Sequence, residues 1–458
     1  MPLLTQKEDR KSSWRHYQKE LKRRGRREKL LSRMPKYGSL VLILAIVAYG
    51  MTNRPGPSNG HPTAAGFSHH TKAVEAGPVG PYIDKESVRS IIDSNRLLNL
   101  DTNTFAVKVD GKQLYVETHI DPSLQNHLLE NIDKTYAEGV GIVVMNPDTG
   151  SILAMASYSK EHPAANLCID ALFPAASVFK IVTAAAGIET YRYRQDSSFS
   201  YNGRKHTLYK SQLKNRHNRY THDISLKDSF AQSVNPVFGK IGKSLGKKVL
   251  HRYALAFGFN HPLGLELPAA ESAVSIADDP YRLAEIASGF NRQTAISPVH
   301  GAVIAATVAN RGVTVVPRLI KRIEDESSRP LYVDRQAPGN RAISAEASDI
   351  LEDLMTETVR SGTGRKVFKN IRKHAVLSRL AIGGKTGSIS NRSHSKRYDW
   401  FVGFAKEKDG PEHLVLSIVV AHGKYIGTKA GEYARAAIEH HFGNYFAGAK
   451  TQTAETNS

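Results

Sequence analysis

Three short motifs occur in fixed order along the chain: Ser177-Val178-Phe179-Lys180, Ser233-Val234-Asn235 and Lys385-Thr386-Gly387-Ser388. Together they hold what a serine acyl transfer needs: a hydroxyl nucleophile, groups that can take and return its proton, and a donor-rich strand that can hold a carboxylate. Each motif alone is weak. Ser-x-x-Lys also occurs at Ser157, Ser211, Ser244 and Ser393, and Ser-x-Asn also at Ser200. Only Ser177 is followed by a long helix-compatible apolar run, Ile181 to Ile188, able to seat a nucleophile in a core. The Lys-Thr-Gly triplet occurs once.

On a helix, residues three apart share a face, so the Lys180 amine can approach the Ser177 hydroxyl. Burial of Lys180 would disfavour its charge and leave a neutral amine to take the serine proton during attack on a carbonyl. Ser233-Val234-Asn235-Pro236 reads as a turn after a helix, because the residue before proline is biased away from helix. In a cleft, the Ser233 hydroxyl can pass a proton between Lys180 and a leaving amine, while the Asn235 amide holds a substrate peptide group. Lys385-Thr386-Gly387-Ser388 reads as a strand preceded by Gly383-Gly384, which an extended substrate backbone could approach without meeting bulky side chains. Lys385 would supply positive potential, and the Thr386 and Ser388 hydroxyls would bind a carboxylate. The backbone amides of Ser177 and Ser388 would form an oxyanion hole, each donor worth roughly 3 kcal/mol in the transition state. Taken singly, the same motifs more often mean a solvent-facing lysine, a plain turn and a glycine-flanked edge strand.

The elements that must position these residues fall into two strand groups. Val140–Met145 and Ile152–Ala156 flank the turn-rich Asn146–Gly150, which suits adjacent antiparallel strands. Leu380–Ser390, Trp400–Ala405 and Leu414–Val420 form a second group before a last helix around Glu432 to His441. Residues 165–365 between them read mostly as helix and loop. The pattern predicts an α/β (α+β) fold: an antiparallel five-stranded sheet flanked by helices, with an inserted all-helical subdomain and active-site residues where the two meet. Upstream, residues 82–135 read as a small stem, with a capped helix near Asp84–Ile92 and a hairpin turning at Asp110-Gly111.

The 458 residues are 40% hydrophobic and 23% charged, an ordinary globular balance with room for two or three domains. The net charge of +20 is uneven: residues 1–36 carry thirteen Lys/Arg against four Asp/Glu. Residues 37–53 carry no charge and include Leu40–Ala48. This segment is long enough for a single transmembrane anchor at the lower limit of about 17 residues, with a cleaved signal peptide as the competing reading. The flanking cations predict a cytoplasmic amino terminus and an extracytoplasmic, periplasmic catalytic region at the inner membrane. The basic leader is expected to lie against anionic lipid rather than nucleic acid, since no zinc-finger or RNA-binding motif follows it. Residues 54–81 are Pro/Gly-rich and suit a linker. The single cysteine, Cys168, excludes an internal disulfide framework and reads as packing. Nineteen histidines include no His-Glu-x-x-His, so no metal site is expected, and neither is a cofactor. Gly242-Lys243-Ser244 lacks the first glycine of a phosphate loop. Ser361–Gly364 reads as a loop bordering the cleft. The tail from residue 447 reads as disordered.

With its three motifs in order, the chain resembles the penicillin-binding transpeptidases of bacterial cell-wall synthesis. The likeness covers roughly residues 136–446 and includes Ile120–Gln125, Gly362–Gly364 and Tyr398–Phe404. It implies a monofunctional enzyme, without a glycosyltransferase domain, in which Ser177 attacks the penultimate D-alanine of a stem peptide. Release of D-alanine and transfer of the acyl group to an amine of a neighbouring strand would follow, and beta-lactams would acylate the same serine. The implied partners are peptidoglycan stem peptides, lipid-linked precursor strands, membrane lipids and proteins of cell-wall assembly. Ala175-Ala176 stands where Pro-Gly is frequent, and Ser388 where threonine is commoner. A D,D-carboxypeptidase or endopeptidase and a non-catalytic scaffold of this fold are the alternatives. A beta-lactamase fits less well, because no deacylating carboxylate can be assigned.

Overall fold

The computed structural model describes residues 83–456, so the basic leader, the uncharged segment 37–53 and the linker to residue 81 lie outside the described residues. In chain order, α1 (Lys85–Ile91), the hairpin β1 (Thr104–Val109) and β2 (Lys112–Thr118), and α2 (Pro122–Glu130) lead into β3 (Ala137–Met145) and β4 (Ile152–Ser159). A long insert follows. It holds β5 (Phe173–Pro174), α3 (Lys180–Tyr191), β6 (Ser198–Asn202), β7 (Thr221–Ser225), α4 (Leu226–Ala231), α5 (Asn235–Ala256) and α6 (Pro280–Ser288). It continues through β8 (Ala295–Ile296), α7 (Pro298–Ala309), β9 (Ile320–Asp325), β10 (Pro330–Val333) and α8 (Ala345–Arg360). The chain then returns as β11 (Leu380–Ser390), β12 (Arg397–Glu407), β13 (His413–His422) and α9 (Ala430–Thr456).

The last three strands join β3 and β4 in an antiparallel sheet of order β11-β12-β13-β3-β4. This is the sheet expected from the two apolar strand groups. At its centre, β13 is buried from Leu414 to His422, so both faces must be covered. Val415 and Val419 share a core with Val182 of α3 and Val299 and Val303 of α7. Leu416, Ile418 and Val420 on the other face share theirs with Leu124 and Leu128 of α2 and Ile438 and Phe442 of α9. Each such side chain contributes roughly 1.5–3 kcal/mol over leaving it exposed. Helix α7 closes on the sheet because Gly301 lacks a side chain; a Cβ there would meet Ser417 Oγ at 2.2 Å.

Two sequence expectations need correction. The insert is not all-helical: β6 pairs with β7, and β9 and β10 pair with the stem hairpin in a second sheet of order β1-β2-β9-β10. In β9 only Ile320 and Ile323 are apolar and fully buried, a spacing of three that mimics helix periodicity. What makes the segment a strand is the open edge of β2, which it completes. The tail is the second correction, since α9 runs to Thr456 through the residues read as disordered. Alanine, lysine, glutamine and glutamate there extend an existing helix cheaply once its nucleus is packed. Among the described residues no helix is long and apolar enough to cross a membrane.

Candidate active site

The segment carrying Ser177 is pinned on both sides. Trp400 Nε1 of β12 donates to the Pro174 carbonyl at 2.9 Å, the Phe173 ring meets Trp400 edge-on, and Ala175 N donates to the Thr294 carbonyl at 2.8 Å. The chain then bends through Ala176 at φ +48°, a left-handed conformation that costs a side-chain-bearing residue about 1–2 kcal/mol. The bend is held by Gly289 at φ +67°, where a Cβ would fall 1.7 Å from the Ala176 carbonyl oxygen. Ser177 enters a one-turn 3₁₀ segment, Ala176–Phe179, that continues into α3. The apolar run behind it, through Ile188, is wholly buried, as expected of a rigid support.

Lys180 is fully buried and its Nζ donates to three acceptors: Ser177 Oγ at 2.8 Å, Asn235 Oδ1 at 2.7 Å and the Ser288 carbonyl. Burial, and then the positive charge of Lys385, hold its pKa well below the usual lysine range. Of its three partners only the serine hydroxyl can also donate. A neutral amine therefore keeps its two hydrogens on Asn235 and Ser288 and turns its lone pair to Ser177.

Ser233 sits in the turn between α4 and α5 at φ +56°, another left-handed residue, and its Oγ donates to Ser177 Oγ at 2.9 Å. Strain of this kind persists where the surroundings over-determine it and collects at functional sites. Asn235 opens α5. Its Oδ1 accepts from Lys180 and its Nδ2 donates to the His206 carbonyl at 3.1 Å. The Nδ2 group has two hydrogens and only one is used on His206, so the other stays available at the cleft that Asn235 lines. A buried amide that met no protein partner would cost about 1–3 kcal/mol.

Lys385 projects from edge strand β11, fully buried, and its Nζ donates to Ser233 Oγ at 3.1 Å and to the Thr386 carbonyl at 2.9 Å. Burial pushes its pKa down to about 7. Lys385, Ser233, Ser177 and Lys180 thus form one continuous hydrogen-bonded chain. The preceding glycines differ from their expected role of clearing a path for substrate. A Cβ on Gly383 would strike the Phe404 ring, and one on Gly384 the Phe401 ring, each at 2.4 Å. It is Gly387 that lies beside the nucleophile: a Cβ there would stand 3.3 Å from Ser177 N.

These residues meet at a cleft of about 580 Å³ lined by Ser177, Ser233, Asn235, Thr386, Gly387 and Ser388, with Lys180 and Lys385 buried behind them. Thr363, in the Ser361–Gly364 loop, also lines it, and its Oγ1 shares a hydrogen bond with Thr386 Oγ1 at 2.5 Å. Three contributors gave no signal in the sequence: the Ser288 carbonyl, Gly289, and the cationic rim of Arg292, Arg397 and Lys429. Cys168 lies away from the cleft, donating to the Ile142 and Ala156 carbonyls. Burial pushes its thiol up to about 12, which suits a packing residue. Among the described residues no three His, Cys, Asp or Glu side chains are grouped to hold a metal ion.

The molecule is thus a five-stranded antiparallel sheet with helices on both faces and a serine–lysine centre beside its edge strand. Residues 140–439 match the penicillin binding protein transpeptidase domain, and the chain belongs to that family. Among curated relatives it is 25% identical to stage V sporulation protein D of Bacillus subtilis, over 74% of this chain and 54% of that protein. It is also 25% identical to the peptidoglycan D,D-transpeptidase PbpA of Mycolicibacterium smegmatis, over 64% of each. The chain thus spans between half and two thirds of these relatives' length. Among solved structures, PBPA from Mycobacterium tuberculosis superposes with a TM-score of 0.58 at 23% identity, covering 71% of this chain and 81% of that one. The D,D-transpeptidase domain of a peptidoglycan glycosyltransferase from Eggerthella lenta gives 0.59 at 23% identity, over 71% and 82%.

Proposed function

We propose that this protein is a peptidoglycan D,D-transpeptidase working through an acyl-Ser177 intermediate, and that beta-lactams acylate the same serine. The observation that carries the reading is the hydrogen-bonded chain Lys385 Nζ, Ser233 Oγ, Ser177 Oγ, Lys180 Nζ. Neutral Lys180 takes the Ser177 proton as Oγ attacks the carbonyl carbon of the penultimate D-alanine. The tetrahedral oxyanion is held by the backbone amides of Ser177 and Ser388, and Thr386 and Ser388 hold the donor carboxylate. As the carbon–nitrogen bond breaks, the proton reaches the departing D-alanine amine through Ser233, with Lys385 stabilising the negative charge that gathers there. An amine of a second stem peptide then attacks the ester, returns the Ser177 proton along the same route, and completes the cross-link.

The family match and the relatives' names support this assignment. The mycobacterial neighbour has been captured as acyl-enzyme complexes with imipenem and penicillin G. On the sequence of residues 1–81 we further propose an inner-membrane anchor at 37–53 with the catalytic region outside; retention in the membrane pellet after alkaline washing tests this. The central experiment labels full-length protein with a fluorescent penicillin beside Ser177→Ala. Covalent label in the parent alone is expected. Mass spectrometry with a pentapeptide donor and an amine acceptor should then show the transfer product. Hydrolysis alone would assign a carboxypeptidase, and absence of label would point to a scaffold.

A further inference from the structure

A second cavity, of about 920 Å³, opens beside the cleft, and His206 lines both. Its walls come from the hairpin β6–β7, helix α4 and the loop at residues 203–206. That loop is tied to the second motif: Asn235 N donates to the Lys205 carbonyl at 2.7 Å, and Asn235 Nδ2 to that of His206. His206 Nε2 meets the Gln232 carbonyl, one residue before Ser233, at 3.0 Å. A carbonyl only accepts, so a neutral imidazole carries its hydrogen on Nε2. The lone pair of Nδ1 is then left over, and no group among the described residues engages it.

The two ends of this groove differ in sign. Arg204 and Lys205 stand with His206 at the cleft end. At the other end, Leu226 N donates to the Ser197 carbonyl and Lys227 N to that of Gln195, which sets Asp196 beside the start of α4, where Asp228 also lies. From Asp228 to Gln232 the backbone advances about 6 Å, so the carboxylates are roughly one helical turn further from the cleft than His206. Neither the Arg204 guanidinium nor the Asp196 carboxylate has a partner among the described residues. We propose that this groove holds the acceptor strand, a stem peptide whose free amine enters beside His206 and whose remaining length lies along α4. The proposal rests on the transpeptidase reading above and names where its second substrate sits. An attacking amine must be neutral; neighbouring cations favour that form, whereas a carboxylate at the same place would hold it as ammonium. Carboxylates a turn away instead take N–H groups of the peptide. His206 Nδ1 accepts one amine hydrogen and steadies the nitrogen lone pair on the ester carbon. As the carbon–nitrogen bond forms and the bond to Ser177 Oγ breaks, the proton shed by the amine returns to Oγ by the route already described.

The test gives full-length protein in detergent a stem pentapeptide donor and, as acceptor, either a stem tetrapeptide with a free side-chain amine or glycinamide. Mass spectrometry counts the products. Transfer and hydrolysis drain the same acyl-enzyme, so their ratio reports only how well the acceptor competes with water. His206→Ala should lower that ratio about three- to tenfold for both acceptors, the range for one hydrogen bond. Asp196→Asn should raise the half-saturating concentration of the tetrapeptide about two- to fivefold, the range for an exposed charge, and that of glycinamide less, since so short an amine does not reach the far end. A ratio that holds in His206→Ala while both products fall would reduce His206 to a brace for the second motif. Equal shifts for the two acceptors in Asp196→Asn, or none, would take the peptide out of the groove. Either result overturns the proposal and leaves the acyl-enzyme reading intact. A parent protein that yields hydrolysis alone, or no acyl-enzyme, would overturn the transpeptidase reading first, and this one with it.

Discussion

Lys180 Nζ lies 2.8 Å from Ser177 Oγ, and its two other partners, the Asn235 side-chain oxygen and the Ser288 carbonyl, can only accept. The amine is therefore held so that losing a proton exposes its lone pair to the nucleophile and to nothing else. Lys180→Met should lower penicillin acylation about 10²–10⁴-fold, the usual worth of a positioned base. Stopped-flow labelling measures this, and a variant within a few-fold of the parent would transfer the base role to another group.

Asn235→Asp keeps the shape and puts a carboxylate 2.7 Å from the lysine nitrogen. An adjacent negative charge favours the ammonium and raises the lysine pKa. The acidic limb of the acylation rate against pH should move to higher pH, with the plateau less affected. An unmoved limb would mean that Lys180 does not set it.

Lys385 is protonated in the unfolded chain up to about pH 10, and in the folded protein burial pushes its pKa down to about 7. Between those values the unfolded state binds more protons, so stability rises with pH. Below about pH 7 the full cost of burying the ammonium is present. Lys385→Met, which also relieves Lys180 of a neighbouring charge, should therefore raise the melting temperature more at about pH 6 than at about pH 9.5. A difference constant over that range would mean that the burial cost is not one of ionisation.

Gly289→Ala should damage both folding and chemistry, because the new Cβ would sit 1.7 Å from the Ala176 carbonyl oxygen and 2.9 Å from Ser177 N. Neither is the movable end of a side chain. A loss of about 3 kcal/mol or more is expected from the clash and the left-handed φ together. Urea unfolding and labelling of the folded fraction check the two effects separately.

The three motifs and the five-stranded sheet were legible because each rests on local pattern: a hydroxyl and an amine one helical turn apart, and strands whose apolar runs announce burial on both faces. What escaped depends on residues distant in sequence. A backbone carbonyl such as that of Ser288 has no letter of its own, and its contact with Lys180 spans 108 positions. Gly383 and Gly384 read as room for substrate, because nothing in a strand says that Phe401 and Phe404 of its neighbour will occupy that room. Arg397 gave no signal, because only the β11–β12 register sets it beside Ser388. The strand nature of Ile320–Asp325 was hidden for the same reason, since its partner lies about two hundred residues earlier.

That partnership has a practical side. Because β9 hydrogen-bonds to β2, Asn99 bonds both backbone groups of Ser157, and Gln125 does the same for Met155, the region before residue 136 is woven into the enzyme rather than appended to it. A truncation beginning at the family boundary would strip β9 of its neighbour and bare a row of unpaired amides and carbonyls. Such a fragment should precipitate, whereas one beginning at residue 83 should stay in solution.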